Sequence, residues 1–340
     1  MNKLVKSVVF FLCLAVIVSA CGGEAAQPQN QAGQAGEKPT YTFKLAHIEK
    51  PTSDWNKTAE KFNEELQALS DGRMKAEVFP AGQLGSEADM FQQLASGASD
   101  FGFITAAYIS TRSETFNGWF MPFLFKNVQE ASQAKDSESA KEMLKELDQQ
   151  GVVGMDYIFA GNHNVLMEEG SAEFADGVKG KKIRIIGNPA IKDFWMNVGA
   201  SPTPMPLPEV YNALQTGAVD GVHMSIDGIA TSKFYEVGKD VTLLNQIAFP
   251  AVVLGSKATF EKLSPEDKAI VEEAMKNAVN WGIEQVIANE PVFLEEIRSK
   301  GVNVHEVTEI NPDFLQARDI VYKTYSDKNP VIKAFIEENQ

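Results

Sequence analysis

In the run KKIRII, residues 181–186, strand alternation sends Ile183 and Ile185 to one face and Arg184 to the other, near the strand's carboxyl end. An arginine there either faces solvent or grips a carboxylate with two parallel hydrogen bonds, which lysine cannot reproduce. His47, His163 and His223 all fall at strand ends, with Glu49 two residues beyond the first of them. If they converged, the three imidazoles would offer a mixed-ligand metal site, but their spacing matches no metal motif, and no metal is expected.

Covalent and cofactor chemistry find no support. The chain has no G-x-S-x-G elbow, P-loop, dinucleotide glycine motif or H-E-x-x-H. Paired acids such as Glu168–Glu169 and Glu272–Glu273 are sequence neighbours that point apart, so they read as solvated surface. The expectation is a binding protein with neither catalytic residues nor cofactor.

The amino terminus says where it works. Lys3 and Lys6 precede an apolar run that ends in small residues, the pattern of an export signal over residues 1–20. The other cysteine, Cys13, lies inside that signal, so Cys21 is the only one left after cleavage, and no disulfide or cysteine metal site remains. Cleavage leaves 29 of the 31 basic residues against 46 acidic ones, a net charge of −17, which argues against nucleic acid or anionic lipid surfaces as partners. Residues 21–39 are built from Gly, Ala, Gln and Pro and read as a flexible tether.

Beyond residue 40, strand and helix periods alternate. Strands are expected at 41–47, 73–79, 100–105, 151–160, 181–186 and 220–224. Helices are expected at 54–69, 87–96, 127–149, 189–198 and 208–216. One phrase occurs twice: Leu94, Gly97, Ala98 and Asp100 recur as Leu214, Gly217, Ala218 and Asp220. Each copy reads as a helix ending at a left-handed glycine before an Asp-led strand, one copy per lobe of an α/β protein whose ligand cleft lies between the lobes. From Ser264 a very long helical pattern runs to Gly301, and Pro291 is expected to divide it into two segments spanning both lobes. The expected division is 40–160 with 250–289 for one lobe and 161–249 with 290–340 for the other.

Five segments carry a family resemblance: VFPAGQLGSEADMFQQLASG (78–97), MPFLF (121–125), VKGKKIRI (178–185), GASPTPMPLPEVYNALQTGAVDG (199–221) and KFYEVGKDVTLLN (233–245). Together they resemble the solute-binding proteins of tripartite ATP-independent periplasmic (TRAP) transporters, over about residues 41–325. The resemblance implies a two-lobed periplasmic-binding-protein-like fold, with lobes joined by crossing strands and a long helix. It implies a monomer that closes on a small organic acid and delivers it to small and large integral-membrane subunits. VSAC, ending at Cys21, resembles a bacterial lipobox, which implies lipidation of Cys21 and an anchor outside the cytoplasm, on the outer face of the cytoplasmic membrane or in the periplasm. A similar two-lobed protein serving an ATP-driven importer or a sensor, with a metal-assisted site, is the alternative.

The family's carboxylate-clamping arginine falls on Arg184. His163 stands where many members carry a second arginine, Met224 where many carry asparagine, and Leu207 where phenylalanine is common. These departures imply a compact, largely apolar acid rather than a hydroxylated sugar acid. Other cleft candidates are His47, Glu49, Trp55, Thr105, Tyr108, Trp119 with Phe120, Asn188 and His223.

Overall fold

The computed structural model describes residues 38–340; the export signal, Cys21 and the tether as far as residue 37 lie outside the described residues. Among the described residues there are nine strands: β1 (Tyr41–His47), β2 (Met74–Phe79), β3 (Phe101–Thr105), β4 (Val152–Met167), β5 (Lys182–Ile185), β6 (Ser201–Pro204), β7 (Gly221–Ser225), β8 (Asp240–Ser256) and β9 (Asn303–Glu306). They make one sheet in the order β2-β1-β3-β8-β4-β7-β5-β6, with β9 beside β8.

Two parallel trios, β2-β1-β3 and β7-β5-β6, are therefore joined through two long antiparallel strands, β8 and β4. β3 pairs with the second half of β8, and β7 with the second half of β4. Each trio is covered by its own helices, which gives the two-lobed α/β fold. β4 runs on to Met167 rather than stopping at residue 160, because β8 and then β7 continue to pair with it.

The duplicated phrase performs one structural task twice. Gly97 (φ 77°) and Gly217 (φ 68°) take the left-handed conformation. Ala98 N then donates to the Gln93 carbonyl, and Ala218 N to that of Ala213. Asp100 next closes on Lys44: its N–H donates to the Lys44 carbonyl at 3.2 Å and its carboxylate accepts from Lys44 N at 2.8 Å. Asp220 makes the same pair with Lys182, at 2.8 and 2.6 Å. Each aspartate thus fastens the central strand of its trio, Asp100 at the middle of β1 and Asp220 at the start of β5.

The helix Asp54–Leu69 begins where the Ser53 hydroxyl accepts from Asn56 N, and it buries Trp55, Ala59, Phe62 and Leu66 along one stripe. The helix Pro265–Ser299 lies against it so closely that a Cβ on Gly282 would meet Thr58 Oγ1 at 2.2 Å. This long helix is not divided at Pro291. Proline removes one N–H and orphans the carbonyl four residues earlier, here that of Ile287; Ile287 and Pro291 are both exposed, so water can take up the lost bond. The stretch expected as one helix at 127–149 is split into Val128–Ala134 and Glu138–Glu146, followed by a 3₁₀ turn over Leu147–Gln150. Ser137 breaks it by capping the second piece, its hydroxyl accepting from Ala140 N.

The last two helices lie along the body: Pro312–Lys328 on Pro189–Val198, and Pro330–Glu338 on Glu114–Phe120 and Glu138–Glu146. Tyr325 Oη donates to Asp193 at 2.9 Å, and the Phe335 ring packs tilted against Trp119 with centroids 4.7 Å apart.

Candidate functional site

The carboxyl ends of the strands in both trios open onto one cleft of about 540 Å³. Ile48, Glu87 and Tyr108 line it from one side; Ile186, Met205 and Leu207, with three nearby prolines, line it from the other. Most of its wall is apolar.

Arg184, on β5, is 3% exposed. Its Nε and Nη2 donate to the carbonyl of Met205, a residue of the cleft wall, at 3.0 and 2.7 Å. Burial lowers its pKa to about 10, against the pull of Glu49 and Glu87, so it is still a cation near neutrality.

Glu49 follows β1 and is 8% exposed. Burial pushes its pKa up to about 7, opposed by the positive charges of Arg184 and Lys50. Glu87, also raised to about 7 by burial, is held by Thr105, whose N–H and hydroxyl donate to its two oxygens at 2.7 and 3.1 Å. Thr105 Oγ1 in turn accepts from Tyr108 N at 3.1 Å.

His163 on β4 and His223 on β7 share a face, and their Nδ1 atoms stand 3.4 Å apart. His163 also stacks flat on Phe249 at 4.1 Å. Burial lowers both pKa values, His223 to about 3 and His163 well below the ordinary imidazole value, and the Arg184 charge adds to each shift. The pair is therefore neutral. Where the resemblance would have a second cation, this chain has an uncharged imidazole pair backed by an aromatic ring. Among the described residues no group of three or more His, Cys, Asp or Glu is placed to hold a metal ion.

The remaining candidates scatter. Leu207 and Tyr108 line the cleft. His47 is fully buried beside Phe103, and burial lowers its pKa to about 4. Trp55 is in the core, its indole N–H on the Phe159 carbonyl at 3.0 Å. Trp119 packs between Tyr157 and Phe335, and Phe120 against Phe249. Met224 is opposite Asn164 in the β4–β7 ladder, on the sheet face away from His163, and packs against Gly228. Asn188 caps the helix Pro189–Val198 and bonds Ser110 and Asn117.

Three residues near Arg184 or Glu49 escaped the sequence reading. Met205 acts through its backbone, which no side-chain pattern reveals. Glu87 is hidden inside a helix start where Ser86 and Asp89 form the capping box, and only its position outside that box sets it apart. Asp227, 8% exposed, begins the short helix after β7 as an ordinary first-turn acid would.

The sequence profile described as bacterial extracellular solute-binding protein, family 7 (DctP), matches residues 45–328. The chain belongs to this family. Among its relatives is the sialic acid-binding periplasmic protein SiaP of Vibrio cholerae, 28% identical, with 79% of this chain and 83% of that one covered. A TRAP periplasmic solute-binding protein from a Sulfitobacter species, solved with bound β-D-galacturonate, superposes with a TM-score of 0.82 at 28% identity, covering 88% of this chain and 99% of that one. The sugar acid-binding protein DctPAm of Advenella mimigardefordensis, solved with galactonate, also reaches 0.82, at 27% identity, covering 89% and 97%. This family 7 protein is thus a TRAP-type solute-binding protein, and nothing in the fold or the relatives favours an ATP-driven importer. No described helix is long and apolar enough to cross a membrane.

Proposed function

We propose that this protein captures a small organic acid with Arg184 as the carboxylate clamp and hands it to the small and large membrane subunits of a TRAP transporter, without chemical turnover. The observation that carries the reading is the buried Arg184 guanidinium, held by the carbonyl of a cleft-wall residue. The ligands of those relatives, sialic acid, galactonate and β-D-galacturonate, all bear a carboxylate. The apolar wall and the neutral His163–His223 pair support a compact, largely apolar ligand body. Gentle purification, denaturation and mass spectrometry of the released ligand test this; a neutral ligand overturns it.

The lobes divide as residues 40–160 with 250–289 and 161–249 with 290–340, although the final helix Pro330–Glu338 returns to pack on the first. In support, the β4–β8 register slips between Phe159 and Asn162, where Gly161 has φ 101° and Pro250 lies opposite Phe159. Such an irregularity across both linking strands is a natural bending point. Lipid on Cys21 anchors the monomer outside the cytoplasm. Cys21→Ser releases it from washed membranes without changing ligand affinity; retention in the membrane fraction overturns the anchor.

A further inference from the structure

Arg184 is outnumbered. Glu49 follows the cleft residue Ile48, and its carbonyl accepts from the N–H of another, Ala81, at 2.8 Å; Glu49 and Glu87 both feel the Arg184 charge, Asp227 feels Glu49, and none of the three acids is within ion-pair distance of Arg184 or of another described cation. Glu49, 92% buried, receives no hydrogen bond from a described residue. Asp227 takes one long bond, from Asp54 N at 3.4 Å, and its Oδ1 is buried without a partner. Glu87 lines the cleft itself.

Buried carboxylates are costly unless a donor or cation meets them. A ligand that is only an anion would satisfy Arg184 and leave the buried acids without a donor or a cation. A ligand with an ammonium near its carboxylate supplies both poles, because three N–H donors on one cation meet acceptors that the protein leaves open. We infer that the cleft is built for a zwitterion of amino-acid type, its carboxylate on Arg184 and its ammonium on Glu49, with Glu87 and Asp227 completing the acidic pole. This rests on the clamp reading above and adds the second pole to it. The apolar wall of Ile48, Ile186 and Leu207 then takes an aliphatic or aromatic side chain.

Matched pairs test the inference: leucine against 4-methylpentanoate, phenylalanine against 3-phenylpropanoate and aspartate against succinate, by thermal shift and then calorimetry at pH 7.5. At least one amino acid is expected to bind tenfold or more tighter than its deaminated partner. Glu49→Gln, checked for an unchanged circular-dichroism spectrum, is expected to remove that preference, read as the ratio of the two dissociation constants measured in the same variant. A panel in which no amino acid outperforms its partner, or a preference that survives Glu49→Gln, overturns the inference. Arg184→Ala judges the clamp separately: nitrogen-free acids that bind equally well and are lost in this variant leave the clamp standing and sink only the second pole.

Discussion

Arg184 gives two of its N–H groups, from Nε at 3.0 Å and Nη2 at 2.7 Å, to the single carbonyl of Met205. That contact occupies the side-on edge of the guanidinium and fixes its plane, leaving the Nη1–Nη2 edge for a carboxylate. A lysine has no second edge: it can satisfy the carbonyl or the ligand. Arg184→Ala is expected to weaken binding of the released acid by about two to four orders of magnitude, from roughly 3–5 kcal/mol for a stranded carboxylate. Arg184→Lys should recover part of that. Calorimetry measures both, and full binding by the alanine variant would sink the clamp.

Asn188 ties the segment after β5 to the other side of the cleft. Its Oδ1 accepts from Ile191 N at 2.9 Å, and its Nδ2 donates to Ser110 Oγ at 2.9 Å and Asn117 Oδ1 at 3.0 Å. Asn188→Ala removes a helix cap and strands two buried partners, so it should cost about 2–4 kcal/mol of stability. Asn188→Ser keeps a capping oxygen and should lose less. Urea unfolding reads the difference, and a loss under about 0.5 kcal/mol for the alanine variant would show that these bonds are replaceable.

The lobes and their repeat were legible because helix caps and strand alternation are local signals. Gly97 and Gly217 behave as read, but the partners of Asp100 and Asp220 were not readable, since Lys44 and Lys182 are reached across the sheet through their backbones. The Pro291 expectation failed for a related reason: proline weakens a helix locally, whereas packing of Val279, Ile283 and Val286 holds the segment together. In the site, Arg184 was visible through alternation. Glu49 was read as a cleft candidate, but Glu87 was not, because a Glu at a helix start looks the same whether it faces water or a cleft. Trp119 and Met224 show the converse: their types suggested ligand contacts, while the register of the strands and the aromatic cluster around Phe335 put them elsewhere.

Closure should be measurable in solution. Gly161 and Pro250 sit at the register slip where β4 and β8 cross between lobes, and a ligand touched from both sides of the cleft favours the closed form. Adding the acid with the largest thermal shift is expected to lower the radius of gyration in small-angle scattering. Gly161→Ala, strained at φ 101°, should reduce that change or the affinity. A radius unaltered by saturating ligand would count against hinge closure.

Stability against pH should carry the signature of Glu49. Its folded pKa, about 7, lies above its ordinary 4.5 because burial disfavours the charge. Between those values the native state keeps a proton that the unfolded chain has lost, so this group's contribution falls as pH rises from about 4.5 to 7 and is constant above that. Glu87, raised to about 7, acts in the same direction. The buried histidines act oppositely: His47, lowered to about 4, and His223, lowered to about 3, are neutral in the fold and cost stability as pH drops below 6.5. Around pH 5–6 the two effects oppose each other, and above pH 6.5 the acids alone still change. Arg184, Lys50, Glu87 and Asp227 are the charges that act on or feel Glu49; of these Glu87 titrates in the same range, and burial raises Asp227 as well. Glu49→Gln removes one falling contribution, so its stability relative to the parent should rise by about 2 kcal/mol between pH 5 and pH 8. Chemical unfolding at each pH without ligand provides the comparison. Parallel curves for the two proteins would mean that Glu49 titrates in the fold as it does in water, and the crowded acidic pole opposite Arg184 would lose its physical basis.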